Sequence, residues 1–255
     1  MIDTHCHLDF PVFDADRQQV LERSVQAGVD QWVVPGVKLE DFQRIVDVKN
    51  KNISIAFGLH PWFVEEQPQD ALNQLAGWIE RHSPLAIGEI GLDFMLPAAT
   101  FPLQESLFVE QLRLSDHFRL PVLLHVRRAH DAALHLLKKV KPAAGGIVHA
   151  YSGSLQQAYG YLDLGFKLGF GGVVTHTNAR RIRQVAKVVP QEGLVLETDA
   201  PDLPPTGWQG RRNEPANLLL IAQVLAQLRG GEVQEIVEIT THNACSILRL
   251  KEAVG

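Results

Sequence analysis

Cysteine is scarce in this chain, and long apolar runs are missing from it. Cys6 and Cys245 are the only cysteines among 255 residues, and two thiols do not make the disulfide framework of a small secreted domain. No stretch approaches the roughly 20 consecutive apolar residues that a membrane-spanning helix needs. No basic segment followed by an apolar one opens the chain as in a signal peptide. The sequence therefore predicts a cytoplasmic protein with no membrane span.

An excess of positive charge is also missing. The net charge is −5 and the isoelectric point is about 6.1, whereas proteins that bind duplex nucleic acid through a broad face are usually basic. Neither G-x-G-x-x-G after the first strand nor G-x-x-x-x-G-K-[ST] occurs, so dinucleotide and P-loop sites lack support. A polyanionic substrate would have to be held locally, by metal ions and a few arginines.

What the chain does contain is a regular alternation of short β-rich runs and helical stretches. Several runs are apolar throughout, as strands covered on both faces are. The alternation predicts a (β/α)8 TIM-like barrel, a single domain over residues 1–255 with an extra C-terminal helix; an open doubly wound sheet is the alternative. The predicted strands are 2–7, 31–37, 53–60, 84–91, 121–126, 145–150, 166–172 and 194–200.

The helical stretches carry their own signals. Apolar residues recur at helical spacing over 129–140, and two further helices are predicted over about 218–228 and 233–248. Gly28 fits the end of the first helix, where a left-handed residue commonly follows the last turn.

A His-x-His pair, His5 and His7, lies in the first predicted strand. The pair alone is weak evidence, because eleven histidines in a chain of this length produce roughly half an H-x-H by chance. On a strand, however, residues two apart point to the same side and can reach one point. Cys6 between them should then face the opposite way and serve packing.

Other predicted strands also end in groups that bind metals. In a barrel the carboxyl ends of all strands surround one mouth, and polar groups that follow apolar runs need a partner there. Four histidines and two carboxylates exceed the needs of one tetrahedral zinc, so we expect two divalent ions that share a carboxylate, with zinc, manganese or magnesium all compatible. The expected ligands are His5, His7, Glu89, His125, His149 and Asp199.

For the remaining histidines the structural interpretation is preferred. His82, His117, His130 and His135 fall on helices or helix ends, where a hydrogen-bonded or packed histidine is commoner than a ligand. His176 and His242 are not assigned as ligands.

The same motifs carry a family resemblance. "DTHCHLDF", "GLHP", "GEIGLD", "PVLLHVRRAHD", "VHAYSGS" and "LVLETDAPDLP" resemble, in order, the signatures of the TatD family of metal-dependent deoxyribonucleases, most closely its YjjV-type branch, from residue 3 to about 249. The resemblance implies a TIM-like barrel with one ion on His5, His7 and Asp199. It implies a second ion on His125 and His149, with Glu89 between the two and His60 near the substrate.

Two departures from the family pattern concern the mouth. Ala150 and Tyr151 stand where many relatives carry Cys-Phe, and Asp202 stands where many carry an aromatic residue. An additional carboxylate at this place would repel a phosphate chain unless it is paired or turned away. This weakens DNA as the expected substrate, though not hydrolysis.

The expected function is metal-dependent hydrolysis of phosphodiester bonds, as in an exonuclease-type deoxyribonuclease. Asp199 would act as general base, Glu89 would bridge the ions and His60 would contact the substrate. Glu197 and Asp93 would orient ligands or water.

Four arginines are candidates for phosphate contacts, since the guanidinium fork suits phosphate. Arg127 and Arg128 could equally form a solvated start of the fifth helix. Arg211 and Arg212 could equally lie in a solvated loop.

Two alternatives stay open. A hydrolase of a small amide, lactone or phosphoester could use the same ions, and a non-catalytic metal-binding barrel could keep the fold alone. DNA or another phosphodiester is the expected partner. No obligate protein partner is evident, and a monomer is expected.

Overall fold

Eight parallel strands form one sheet in chain order in the computed structural model, which describes residues 1–250. Each strand pairs in parallel with the next. The strands are β1 Ile2–Asp3, β2 Gln31–Pro35, β3 Ile53–Phe57, β4 Ala86–Asp93, β5 Val122–Arg127, β6 Gly146–Val148, β7 Phe166–Phe170 and β8 Leu194–Leu196.

One α-helix follows each strand, and an extra helix ends the described chain. The helices are α1 Arg17–Gln26, α2 Phe42–Val48, α3 Ala71–His82, α4 Phe101–Phe118, α5 His130–Val140, α6 Leu155–Leu162, α7 Arg180–Val188, α8 Leu218–Arg229 and α9 Val233–Leu248. The (β/α)8 prediction with an additional C-terminal helix is confirmed. The single-domain prediction includes residues 251–255, which lie outside the described residues.

The sheet closes where the chain after β1 meets the chain around β8. The Thr4 backbone N–H donates to the Leu196 carbonyl at 3.1 Å, and the Asp199 N–H donates to the His5 carbonyl at 2.9 Å. An open doubly wound sheet has two edge strands and a reversal in strand order, so that alternative is wrong.

Several strands are shorter than predicted, β1 most of all, and His5 and His7 therefore lie beyond β1. After Asp3 the chain bonds irregularly to both neighbours, with the Cys6 N–H donating to the Val33 carbonyl. At β6 and β8 the ladder stops before Ala150 and Asp199, which have left-handed φ values of +43° and +57°. Such residues turn the chain out of the extended conformation at the mouth.

Local sequence accounts for the helices. In α6, the Ser154 side chain accepts from the Gln157 N–H while the Gln157 side chain accepts from the Ser154 N–H, which forms a capping box. Gly28, with φ +86°, follows the end of α1 as predicted.

The core has two layers, and the second closes the amino ends of the strands. The larger layer lies between the strands and the surrounding helices. In the smaller one, α9 packs against residues at the amino ends of the strands. Its buried residues are Ile2, Val33, Ala56, Ala86, Leu123, Ile147, Val195, Ala244, Cys245 and Leu248.

The fold contains neither a membrane-spanning helix nor a disulfide within residues 1–250. Over residues 1–250, no helix is both long and apolar enough to pass through a bilayer. Within the same range, neither Cys6 nor Cys245 takes part in a disulfide, and both are buried.

Candidate metal centre

Glu89 lies at the centre of the mouth, and one of its carboxylate oxygens faces three imidazoles. Its Oε1 is 2.8 Å from His149 Nε2, 3.0 Å from His125 Nδ1 and 3.3 Å from His60 Nε2. All four residues are buried or nearly so. These side chains come from four different strands or strand ends, as convergence at a barrel mouth requires.

The other oxygen of Glu89 faces the His-x-His pair. Oε2 is 3.2 Å from His5 Nε2 and 3.6 Å from His7 Nε2. Asp199 Oδ1 lies 3.6 Å from His5 Nε2 and 3.7 Å from His7 Nε2. Glu89 thus separates two groups of donors, one on each of its oxygens.

The backbone holds this geometry. The pairing of β4 with β5 shifts register between Gly88 and Ile90, and such a bulge re-aims the residue within it, which is Glu89. The Glu89 N–H donates to the Gly36 carbonyl at 2.7 Å. At Gly91, a Cβ would stand 1.9 Å from the His125 carbonyl, so only glycine lets the two strands approach this closely.

The donor set fits divalent cations. His5 Nε2 is buried among carboxylates without a hydrogen-bond partner, and a buried polar atom without one is costly. Imidazole nitrogens with carboxylate oxygens are the ligands that zinc and manganese use. Three groups have ligand atoms within 4.8 Å of one another: His5, His7 and Asp199; His5, Glu89 and His149; and His60, Glu89 and His125.

The six predicted ligands therefore lie together, and His60 joins them. The sequence indicated His60 as a substrate contact; the structure places it close enough to Glu89 and His125 to share a cation with them. Its Nδ1 accepts the Trp62 backbone N–H at 3.1 Å, which leaves Nε2 directed at Glu89. A histidine after an apolar run, "AFGLH", was the available signal for this role.

Burial and neighbouring carboxylates shift the pKa values of the histidines around Glu89. It lowers the pKa of His5 to about 3 and that of His7 to about 4. Both are therefore neutral at pH 7, the form that ligates a cation. Burial also opposes the charged form of His149, but the carboxylates of Glu89 and Asp199 outweigh it and raise its pKa to about 10.

Two carboxylates lie behind the predicted ligands, Asp93 beside His125 and Glu197 near His149. Asp93 Oδ2 lies 3.2 Å from His125 Nε2 and accepts the Trp62 indole N–H at 2.7 Å. Burial would raise the pKa of Asp93, but His125 and Trp62 lower it to about 2. Glu197 Oε1 lies 3.8 Å from His149 Nδ1 and accepts the Ala150 N–H.

Asp3 is a supporting residue that sequence reasoning missed. Its Oδ2 accepts the Thr198 hydroxyl at 2.6 Å, and its Oδ1 accepts the Thr198 and His5 N–H groups at 2.9 and 3.3 Å. It therefore ties the segment that carries His5 to the segment that carries Asp199. Its place in the first predicted strand, at the start of the "DTHCHLDF" motif, was the available signal.

Two buried glutamines of α4 were also missed. Gln104 bonds both the N–H and the carbonyl of Asp93, at 2.8 and 3.1 Å. Gln111 does the same to Leu59, the residue before His60, at 2.8 and 3.0 Å. Their spacing of seven places both on one face of the helix, which was the available signal.

The arginines predicted to contact phosphate lie in different surroundings. Arg127 ends β5 rather than starting the fifth helix; it is exposed and lines the mouth, with Nη1 3.9 Å from Asp93 Oδ2. Arg128 is exposed and lies in a neighbouring groove. Arg211 is exposed and does not line the mouth.

Arg212, a candidate for phosphate contact, is paired within the protein instead. Its guanidinium bonds both Asp16 oxygens, at 2.8 and 2.6 Å, and the Val12 carbonyl at 2.7 Å. It also lies over the Phe13 ring. These contacts hold the loop after β8 against the segment before α1.

Five further histidines and Cys6 lie outside the groups of possible metal ligands. His82 stacks on Trp78, and His130 is buried between Tyr161 and Ser152. His117 and His135 lie within α4 and α5. His176 Nε2 is 3.0 Å from the Pro204 carbonyl. Cys6 lies in the main core.

The donors open into a cavity of about 650 Å³, within the range of small-molecule sites. Its lining combines polar residues, including Arg127 and Asp202, with apolar ones. The aromatic and aliphatic residues include Phe10, Val37, Phe63, Val126, Phe170, Val174 and Ile182.

Known proteins resemble this chain along nearly its whole length. Residues 2–249 match the family described as TatD related DNase. The chain belongs to the TatD family. The metal-dependent hydrolase YjjV of Escherichia coli K12 is 40% identical to this chain, over 98% of this chain and 98% of its own length. The crystal structure of E. coli YjjV superposes with a TM-score of 0.95 at 39% identity, covering 98% of both chains.

A more distant TatD-family relative carries a named activity. The 3'-5' ssDNA/RNA exonuclease TatD of Pantoea ananatis is 31% identical over 98% of this chain and 100% of its own length. The chain is therefore a metal-dependent hydrolase of the TatD family.

Proposed function

We propose that this protein is a metal-dependent phosphodiesterase, a deoxyribonuclease that acts at strand ends. The observation that carries the proposal is the two-sided arrangement of donors around Glu89. His5, His7 and Asp199 would hold one cation, and His125 with His149 or His60 the other. When bound, such cations supply Lewis acidity, since they polarise a phosphoryl oxygen and lower the pKa of a water molecule.

The chain's own groups supply the proton transfer and the positioning. Asp199 is buried, with Oδ1 3.6 Å from His5 Nε2 and 3.7 Å from His7 Nε2, which would place it beside a bound water as general base. Asp199 would accept the proton of the attacking water. Arg127, exposed at the rim, would hold a non-bridging phosphate oxygen.

A nucleic-acid substrate is supported by the family and by the named activity of the Pantoea relative. The net charge of −5 is compatible with it, because bound cations and rim arginines would supply the local positive charge. DNA or another phosphodiester is thus the proposed partner. We also propose a cytoplasmic, monomeric protein.

A second candidate is a hydrolase of small apolar esters, lactones or amides. The phenylalanine and valine side chains that line the cavity favour this candidate, because they form no favourable contacts with a charged phosphate backbone. Asp202, which also lines the cavity, favours an uncharged substrate for the electrostatic reason that makes it repel phosphate.

A substrate panel with Glu89 and Asp199 variants tests the proposal. The purified protein, Glu89→Gln and Asp199→Asn are assayed with Mg²⁺, Mn²⁺ or Zn²⁺ on labelled oligonucleotides, small esters, lactones and cyclic amides. We expect cleavage of oligonucleotides by the unaltered chain and a loss of at least about 10³-fold in each variant, since each removes a charge on which the two-ion site depends. Glu238→Gln, an exposed change on α9 at the closed end of the barrel, should keep full activity.

Other results would redirect the assignment. Hydrolysis of lactones or amides but not oligonucleotides would replace the nuclease by the second candidate. Full activity in Glu89→Gln would contradict both. Metal analysis of chelator-free protein addresses the non-catalytic alternative: about two cations per chain in the unaltered protein and fewer in Glu89→Gln are expected.

A further inference from the structure

A groove of about 740 Å³ adjoins the metal-centre cavity and shares Arg127 and Ser152 with it. We call it the arginine groove and define it by Arg127, Arg128 and Arg181. Arg127 ends β5, Arg128 follows it in the connection to α5, and Arg181 comes from the first turn of α7. Because the two concavities meet at Ser152, a ligand held at the metal centre can continue into the groove.

The three arginines are exposed, and their described contacts leave many donors open. Arg181 Nη2 donates to the Ser152 carbonyl at 2.7 Å, which fixes its guanidinium at the junction. Arg127 has one carboxylate near it, Asp93 at 3.9 Å. A guanidinium has five N–H donors, so each arginine can still bond an anion.

The groove also contains one acidic residue. Asp131 accepts the Gln157 side-chain N–H at 2.8 Å, and this bond holds one of its oxygens on α6. Three guanidinium groups against one carboxylate make the lining cationic, in a protein whose net charge is −5. No side chain caps the first turn of α5 at Ala129, so the free N–H groups of that turn add to the positive potential.

We propose that the arginine groove binds the phosphate next to the scissile one, so that the preferred substrate is an oligonucleotide with at least two consecutive phosphates. This rests on the proposed phosphodiesterase function and narrows it. The three arginines indicate the ligand, because guanidinium groups match phosphate oxygens in geometry and charge. The apolar side chains that line the metal-centre cavity cannot make such contacts with a phosphate. A diester with a single phosphate reaches only the metal centre.

The test compares two diesters that carry one phosphate with a trinucleotide that carries two, none of them with a terminal phosphate. kcat/KM is measured for bis(p-nitrophenyl) phosphate, a thymidine dinucleotide and a thymidine trinucleotide, with the unaltered protein, Arg181→Gln and Arg128→Gln. We expect the trinucleotide to exceed the dinucleotide by about tenfold in the unaltered chain, and each variant to lose most of that gain. Activity on bis(p-nitrophenyl) phosphate should change less than twofold. Arg180→Gln, the exposed neighbour on α7 outside the groove, should behave as the unaltered chain.

The outcomes separate the two proposals. Equal losses on all three substrates, or no loss in Arg181→Gln and Arg128→Gln, would overturn the groove assignment while leaving the phosphodiesterase intact. If no diester is cleaved with any metal, the phosphodiesterase proposal fails. Fluorescence anisotropy with labelled di- and tetrathymidylate then decides the groove: tighter binding of the longer strand that is weakened in Arg181→Gln supports it, and equal binding overturns it.

Discussion

His130 should make the stability of this protein sensitive to acid. Its ring is buried, with Nδ1 3.2 Å from the Tyr161 hydroxyl and Nε2 3.3 Å from the Ser152 hydroxyl. Burial, together with the positive charge of Arg181, lowers the pKa of His130 from 6.5 to about 4. Between these two values the unfolded chain binds a proton that the native state does not. Stability is therefore greatest above pH 6.5 and falls as the pH drops toward 4.

The pKa difference sets the size of the effect. A full shift from 6.5 to about 4 corresponds to about 3 kcal/mol, of which about 2.5 kcal/mol is lost between roughly pH 7.5 and 4.5. The free energy of unfolding is measured in urea at both pH values, in chelator so that release of cations does not contribute. His130→Gln cannot take up the proton, so its loss over this interval should be smaller than that of the unaltered chain by about 2.5 kcal/mol.

The comparison isolates one group, because all other titrating residues are common to both proteins. His135→Gln, an exposed change on the same helix, should follow the unaltered chain. An identical pH dependence in His130→Gln and the unaltered protein would refute the reasoning.

Two further substitutions test how the site is supported. Trp62→Phe removes the 2.7 Å indole hydrogen bond to Asp93, and loss of an outer partner of a ligand should weaken metal binding by about tenfold; titration calorimetry with Mn²⁺ that shows unchanged affinity would contradict this. Gly91→Ala places a Cβ 1.9 Å from the His125 carbonyl at φ +146°, so we expect a loss of more than about 2 kcal/mol in unfolding free energy and a lower metal content. Its control, Gly77→Ala in α3, meets no atom within 4 Å and should stabilise by about 0.5–1 kcal/mol; similar effects of the two changes on urea midpoints would refute the argument from close approach.

The agreement between sequence and structure is best where the pattern is periodic or positional. The alternation of apolar runs and amphipathic helices predicted all eight strands and the closing helices. Because the strand ends of a barrel converge, the sequence also predicted that Glu89 and Asp199 lie close to four histidines. Both inferences use information carried by neighbouring residues or by the topology as a whole.

The agreement is poorest where a side chain's role depends on one distant partner. Arg212 looked available for substrate until Asp16 was found 2.6 Å away. Gln104 and Gln111 looked like ordinary polar helix residues, yet each bonds the backbone beside a site residue. Nothing in a local pattern specifies these pairings, because they follow from how helices pack on the barrel.

The sequence by itself determined the barrel through its hydrophobic period and the family through its ordered motifs. It also predicted six metal ligands from their positions at strand ends. Only the tertiary structure decided that His60 stands among the donors and that Glu89 faces histidines on both oxygens. It also showed that Arg127, Arg128 and Arg181 line one groove. The physical reason is that burial, charge balance and hydrogen-bond partners arise between segments far apart in the chain, and exist only once the barrel has closed.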